Sequence, residues 1–207
     1  MKQEINPKDT TRAEAFKLWM ESPMPMVTLT KTFDVSQLRK WSRRQGHPFN
    51  MLLCWCIGKA ASQMKEFYLL PEHGKLYQFD SLAINVIVNN KADGISSCDI
   101  PYTDDFVQFQ SDYLSLTQRA TISSDSSFVD DAMVIGTSAM IATELDSIIN
   151  QYTDQFCNPM VMWGKYHKGF FKTTLPISFQ FHHVQMDGGH AAQYLEELQN
   201  TINTIWM

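Results

Sequence analysis

The chain has 207 residues, of which 44% are hydrophobic and 19% are charged, and its formal net charge is −5 with histidine neutral. These values are typical of a folded domain and exclude an intrinsically disordered chain. The mild acidity argues against a non-specific nucleic-acid binder, because such proteins carry a basic patch. Aromatic residues reach 12%, and there are 12 methionines. Both are common in large cores, in sites for flat or apolar ligands and at subunit interfaces, so composition leaves these three uses open.

Signals for membrane insertion or secretion are missing from the sequence. No run of about 18 apolar residues occurs, and the polar segment 1–16 has no apolar stretch typical of a secretory signal. The four cysteines form no CxxC pair, and Cys54 and Cys56 lie in the apolar run MLLCWCIGKAA, where reduced and buried thiols are expected. We therefore expect a cytoplasmic protein. The sequence has no P-loop, no GxGxxG motif and no internal repeat.

Residue periodicity predicts helices and strands that alternate along the whole chain. In chain order these are a helix over 11–20, a strand over 26–35, a helix over 37–46 capped by Ser36 and ended by Gly46, a buried helix over 49–66, strands over 76–80 and 81–90, an amphipathic helix over 104–120, a strand over 132–140, two strands within 158–183 around a turn near 167–169, and a closing helix from 187 or 188 to about 205. No linker divides them. We predict one α/β domain over 1–207, a two-layer sandwich in which a mixed β-sheet packs against helices.

The most informative segment is FQFHHVQMDGGH (179–190). Apolar residues alternate up to Phe181, as in a half-buried strand that ends at His182 and His183. A tight turn then leads to Asp187, which with two glycines opens the last helix. Because imidazole titrates near neutrality, His183 is a candidate general base for a hydroxyl or thiol, with Asp187 to orient the loop or stabilise charge. A structural histidine at a strand end is the alternative.

A metal site is a further interpretation of the same segment, because His182, His183, Asp187 and His190 lie close in sequence. Adjacent side chains on a strand point to opposite faces, so His182 and His183 cannot easily share one ion. No cysteine accompanies them. We therefore expect no metal.

With FHHVQMDGGH (181–190) as its signature, the sequence resembles the chloramphenicol acetyltransferase family, part of the coenzyme A-dependent acyltransferases that also include the dihydrolipoyl acyltransferases. Further segments follow in family order and spacing: TRAEAFKLW (11–19), LTKTFDVSQLRKW (29–41), IPYTDDFVQFQSDYLSL (100–116), GTSAM (136–140) and GKYHKGFFKTTLPISFQ (164–180). The resemblance covers most of the chain and implies the coenzyme A-dependent acyltransferase fold for a single catalytic domain.

The resemblance also implies a mechanism. His183 would take the proton of an acceptor hydroxyl, which attacks the carbonyl of acetyl-CoA directly in a ternary complex. Ser138 would donate a hydrogen bond to the oxyanion of the tetrahedral intermediate. Asp187 would have a structural role and pair with Arg12 to hold the loop. A buried hydroxyl bonded to the backbone is the alternative for Ser138.

Acetyl-CoA would be the co-substrate, with Lys165 and Tyr166 near its adenine end. A hairpin edge with a solvated lysine is the alternative for that pair. Since the chain is acidic overall, a few placed cations such as Lys165 would have to meet the coenzyme's phosphates. The resemblance further implies a homotrimer with sites between subunits, in which the base of one subunit faces an acceptor pocket on the next.

The acceptor side departs from the family pattern. Trp19 stands where a tyrosine is common, and Met162 stands where a threonine is common. Met24 lies in a segment, LWMESPMPMVTL, that differs from the aromatic stretch of the family. We assign Trp19, Met24, Phe128 and Met162 to the acceptor pocket, with core packing as the alternative.

The leading hypothesis is an acetyl-CoA-dependent O-acetyltransferase with a chloramphenicol-type acceptor, as in antibiotic resistance. One alternative is the same chemistry on a different alcohol or thiol. Another is a non-catalytic protein that binds an acyl-CoA or an apolar ligand, although such a protein has no need of a poised base. A dihydrolipoyl-type core is less favoured, because those cores carry lipoyl domains upstream.

Overall fold

The computed structural model describes residues 1–153 and 155–204. Its α-helices are α1 (Ala13–Trp19), α2 (Ser36–Gln45), α3 (Phe49–Ser62), α4 (Phe106–Ser123) and α5 (Gly188–Thr204). Its strands are β1 (Lys2–Ile5), β2 (Met26–Asp34), β3 (Leu69–Glu72), β4 (Lys75–Phe79), β5 (Leu82–Asn89), β6 (Ile95–Pro101), β7 (Met133–Met140), β8 (Met160–Gly164), β9 (His167–Lys168) and β10 (Thr173–His182). Within these ranges no helix is long and apolar enough to cross a bilayer.

The main sheet has the strand order β2-β10-β8-β7-β5-β6, and the short β9 pairs with β10. Strand β7 runs parallel to β5 and β8, whereas the other pairs are antiparallel. A smaller sheet, β1-β4-β3, stands apart from it. Helices α3, α4 and α5 contact the main sheet or one another. This mixed sheet with packed helices confirms the predicted α/β fold.

The core forms where α3 packs against α5 and against the main sheet. Helix α3 is apolar on every side, and its residues 51–58 are all buried. Gly58 is required there, because a Cβ atom would lie 2.2 Å from the ring of Tyr102. Ile84, Ile135, Val161 and Phe179 come from neighbouring strands and are fully buried. Since side chains alternate along a strand, the residues directly before and after each of these four face the opposite side of the sheet.

Several predicted boundaries were wrong for local reasons. Ser36 is the first residue of α2 and not its N-cap, because Asp34 Oδ1 accepts both its backbone N–H at 3.0 Å and its hydroxyl at 2.6 Å. Gly46 ends α2 with φ 71°, as predicted. Helix α3 ends at Ser62, and a 3-10 turn, Lys65–Tyr68, follows.

Strands β1, β3 and β6 were not predicted, because they are short or carry polar residues. The turn expected near 167–169 lies slightly later, since β9 occupies His167–Lys168 and the N–H of Gly169 donates to the carbonyl of Lys172. The predicted end of the last helix at 205 lies outside the described residues.

Candidate active site

One buried arginine fixes the segment between β10 and α5. Arg12 precedes α1 and is 4% exposed. Its Nη1 and Nη2 donate to the two carboxylate oxygens of Asp187 at 2.6 and 2.8 Å, while Nε donates to the carbonyl of Val184 and Nη2 to that of His183, each at 2.8 Å. The hydrogen bonds from Arg12 lower the pKa of Asp187, so this carboxylate stays charged at neutral pH. A bidentate pair of this kind fixes orientation as well as distance.

The ring of His183 lies against Trp19. The two ring centroids are 4.6 Å apart and the planes differ by 5°, so the rings are stacked. Nδ1 of His183 lies 3.4 Å from Asp187 Oδ1, but it has no hydrogen-bond partner among the described residues, because the carboxylate is directed at Arg12. The His183 side chain is 28% exposed and Nδ1 is buried, so the exposed edge of the ring carries Nε2. Nε2 is therefore the atom a substrate can reach.

His182 has a different environment from its neighbour. It is 1% exposed, and its Nδ1 accepts the backbone N–H of Val184 at 3.1 Å. Burial, together with the nearby His183, lowers the pKa of His182 to about 4, so the ring is neutral at physiological pH. His182 thus supports the turn, and within the described ranges no group of three or more His, Cys, Asp or Glu side chains is arranged to hold a metal ion.

His190, in the first turn of α5, supports Asp187 from the other side. The backbone N–H of Asp187 donates to His190 Nδ1 at 3.2 Å, so the proton of a neutral His190 is on Nε2. That Nε2 lies 3.5 Å from Glu66 Oε1, and Glu66 is 5% exposed. Sequence reasoning placed His190 only in a possible metal site and missed Glu66. No local sequence pattern marks Glu66, because it lies in the 3-10 turn Lys65–Tyr68, far from His190 in the sequence.

A cavity of about 380 Å³ lies on the helix-free face of the main sheet. Its floor is one row across five strands, since the register places these residues side by side: Gln180, Met160, Gly136, Asn85 and Asp99. Residues of the connection between β7 and β8, among them Asn150 and Phe156, cover it. We call this the sheet-face cavity. Polar residues that interrupt the apolar pattern of β5 and β6 were the signal for it in the sequence.

Ser138 lies next to the sheet-face cavity but far from His183 of the same chain. Gly136, in the cavity floor, is two positions before Ser138 on β7, so both face the same side. Ser138 is level with Met162, which is level with Ser178 of β10. From Ser178 to His183 the strand extends about 16 Å, and β7 and β10 are about 10 Å apart. One chain therefore separates Ser138 and His183 by roughly 15–20 Å.

A second cavity, of about 420 Å³, lies between the start of α3 and the end of β8. Lys165 and Tyr166 both line it, together with Phe49 and Trp163. The Tyr166 ring lies 5.4 Å from Phe49 and has the guanidinium of Arg39 5.4 Å from its centroid. We call it the coenzyme-side cavity after the role predicted for Lys165 and Tyr166; it joins apolar walls to cations at its edge.

The residues assigned to the acceptor pocket do not lie together. Phe128 lines the sheet-face cavity and is exposed, whereas Trp19 stacks on His183. Met24 is exposed, and Met162 is buried in the sheet opposite Ser138.

Comparison with known proteins agrees with this architecture. A solved structure described as chloramphenicol acetyltransferase superposes with a TM-score of 0.83 at 18% identity, covering 98% of this chain and 100% of that one. The dihydrolipoamide acetyltransferase (E2p) of Azotobacter vinelandii superposes with a TM-score of 0.67 at 16% identity, covering 98% and 92%. These likenesses define the coenzyme A-dependent acyltransferase fold.

The family model described as chloramphenicol acetyltransferase matches residues 3–199. The chain therefore belongs to the chloramphenicol acetyltransferase family and is an acyltransferase. It is 26% identical over 205 residues to chloramphenicol acetyltransferase 3 of Escherichia coli, which covers 95% of each protein. It is 23% identical over 205 residues to the chloramphenicol acetyltransferase of Campylobacter coli, covering 96% of this chain and 97% of the relative.

Proposed function

We propose that the protein transfers the acetyl group of acetyl-CoA to a hydroxyl of a chloramphenicol-type acceptor, with His183 as the general base. The observation that carries this proposal is the fixed His183 ring. Arg12 holds its carbonyl, Trp19 covers one of its faces, and Nε2 is left at the exposed edge. A base held in one orientation is what proton abstraction from a bound hydroxyl requires.

The reaction proceeds by direct transfer in a ternary complex. Nε2 of neutral His183 takes the proton of the acceptor hydroxyl as that oxygen attacks the acetyl carbonyl. The Ser138 hydroxyl donates to the oxyanion, and one such donor contributes about 3 kcal/mol to the transition state. When the intermediate collapses, the C–S bond breaks and the thiolate of coenzyme A receives the proton from the imidazolium. The negative charge of Asp187, 3.4 Å from His183 Nδ1, favours that transient cation.

Acetyl-CoA binds as co-substrate in the coenzyme-side cavity. Lys165 is exposed at its edge, where an ammonium group can meet phosphate. Tyr166 offers a ring for stacking, and Arg39 beside it supplies a second cation. The carbon chain of the coenzyme can follow the apolar walls of the cavity.

The acceptor binds in the sheet-face cavity, and the base comes from a neighbouring copy in a homotrimer. The separation of roughly 15–20 Å between Ser138 and His183 in one chain supports this arrangement. Ser138 would contact the oxyanion while His183 contacts the hydroxyl that attacks the same carbonyl carbon, so the two side chains must lie close together in the working site. Phe128 and Phe156 at the cavity rim are large, exposed and apolar, as interface residues often are. The buried thiols, whose pKa burial raises to about 12 at Cys54, suit a reducing cytoplasm.

Thiol release from acetyl-CoA, measured with and without chloramphenicol, tests the function. We expect release that depends on the drug, with loss of about 10³-fold in kcat for His183→Ala. His73→Asn is the matched control, since it replaces an exposed turn histidine whose φ of 51° asparagine tolerates. Release with another alcohol or thiol only would keep the chemistry and change the acceptor. Ligand binding without transfer to any acceptor would favour a non-catalytic binding protein.

A further inference from the structure

The floor of the sheet-face cavity holds a buried carboxylate without a cation. Asp99 is 5% exposed and lines the cavity. Its Oδ1 accepts from Asn85 Nδ2 at 2.6 Å and its Oδ2 from the backbone N–H of Val129 at 3.0 Å. In the described part of the chain it forms no ion pair with a lysine, arginine or histidine.

Such a carboxylate has unused capacity to accept hydrogen bonds. An ionised carboxylate offers about four acceptor positions, and the two neighbours of Asp99 occupy one on each oxygen. Burial of a charge is costly unless an opposite charge or a full set of donors accompanies it. Asp99 therefore lacks a further hydrogen-bond donor and an opposite charge, and a cationic N–H group in the cavity would supply both.

The neighbours of Asp99 are arranged to keep it pointed at the cavity. Asn85 Nδ2 donates to both Asp99 Oδ1 and Ser97 Oγ at 2.6 Å, and the Ser97 hydroxyl lies 2.9 Å from Asn85 Oδ1, so Ser97 fixes the amide that donates to Asp99. Ser97 and Asn85 also line the cavity. These three residues form a connected cluster whose last acceptor is the carboxylate of Asp99.

We infer that the sheet-face cavity selects an alcohol that also carries a cationic amine, with Asp99 as the residue that binds the ammonium group. This inference rests on the proposed function, because it takes this cavity as the acceptor site. Ammonium bound at Asp99 lies on the same face of the sheet as Ser138, beside which the acetyl carbonyl that the acceptor hydroxyl attacks would lie. The apolar rim, including Phe128 and Phe156, suits the carbon skeleton of the same molecule.

A matched pair of probes separates charge from shape. Chloramphenicol is a neutral amide, and its deacylated base shares the aryl diol but carries a primary amine that is cationic at neutral pH. Calorimetric titration of the full-length protein should give a Kd at least about tenfold lower for the amine than for chloramphenicol. Asp99→Asn should raise the Kd for the amine about tenfold and change the Kd for chloramphenicol by less than about threefold. Asp125→Asn, which removes the same charge from an exposed loop position, should change neither.

Equal affinity of the wild-type protein for the two probes would overturn the inference, and this comparison decides even if Asp99→Asn does not fold. If Asp99→Asn weakened the binding of both probes equally, the inference would also be overturned, since Asp99 would then only hold Val129 in place. Thiol release with both probes but equal affinity for them would overturn the inference and leave the acetyltransferase proposal intact. A preference for the amine in binding, without turnover of either probe, would support the inference and contradict the proposed activity.

Discussion

Arg12 and Asp187 lie 175 positions apart in the sequence and form two parallel hydrogen bonds of 2.6 and 2.8 Å. The same guanidinium holds the carbonyls of His183 and Val184. The segment before α1 is thus bonded directly to the turn that carries the proposed base. Because all four hydrogen bonds come from one rigid planar group, the position of His183 depends on the position of Arg12.

Arg12→Lys should therefore impair both stability and turnover. An ammonium group cannot reproduce the bidentate pair and both carbonyl contacts, so the free energy of unfolding should fall by about 2–3 kcal/mol. This loss is smaller than is usual for a fully buried ion pair, because Asp187 is half exposed. We expect kcat to fall at least about tenfold, since a misplaced base is inefficient. Urea unfolding and thiol release measure the two effects, with the exposed Arg43→Lys as control. An unchanged kcat in folded Arg12→Lys would show that the pair serves folding alone.

His190 should act as a positioning residue through its Nδ1 atom. In His190→Asn the amide oxygen can still accept the Asp187 N–H, whereas His190→Leu removes this acceptor, and both variants lose the contact between Nε2 and Glu66. We expect kcat close to the wild-type value for His190→Asn and about tenfold lower for His190→Leu, with the KM for acetyl-CoA unchanged in both. Steady-state kinetics on variants with matched circular dichroism spectra would test this. Equal loss in both variants would contradict the role of Nδ1.

The part of the site that the sequence could predict is the part encoded by neighbouring residues. The strand that ends at His182, just before His183, and the glycines after Asp187 give a local pattern of alternation, turn and helix start. The pairing of Arg12 with Asp187 came only from family resemblance, and the structure shows these two side chains in contact. The role of His183 as base remains a prediction.

The remaining features depend on contacts between distant segments. Trp19 was assigned to the acceptor, yet its ring stacks on His183 of the same chain. Asp99 was not singled out, because polar residues on a strand ordinarily face solvent. It is buried here because the connection between β7 and β8 covers that face of the sheet. Neither the stacking nor the cover has a periodic signal in the sequence.

The neutral His182 ring should make the protein less stable in mild acid. Burial lowers its folded-state pKa from the ordinary 6.5 to about 4. Above pH 6.5 both states are neutral and stability is complete, whereas between about 6.5 and 4 the unfolded chain takes up a proton that the native protein refuses. This difference removes up to roughly 3 kcal/mol as the pH falls through that window. His182→Asn, whose side-chain oxygen can still accept the Val184 N–H, should lose less stability over the same range.

Urea unfolding of the wild-type protein and His182→Asn between pH 4.5 and 7.5 measures this effect. The slope of unfolding free energy against pH should be smaller in the variant by about one proton. All other residues are common to both proteins, so the difference between the two curves reports on His182. Parallel curves would show that His182 is protonated in the native protein.

Mixing two inactive variants tests whether the site lies between subunits. His183→Ala lacks the proposed base but keeps Ser138, and Ser138→Ala lacks the proposed oxyanion donor but keeps His183. If the base of one subunit serves the oxyanion site of the next, a mixed trimer contains one interface at which both residues are intact. After unfolding and refolding of an equimolar mixture, random assembly should restore about one quarter of wild-type activity.

Each variant refolded alone controls for residual activity, which for Ser138→Ala should be about 10²–10³-fold below the wild type. Mixing the two variants without unfolding controls for contamination, since proposed trimers that do not exchange subunits should gain no activity. Activity that stays at the mean of the two parents after refolding would place His183 and Ser138 in one site formed by a single chain. The two residues are roughly 15–20 Å apart in one chain, too far for both to act in one transfer step, so we expect activity to recover in the refolded mixture.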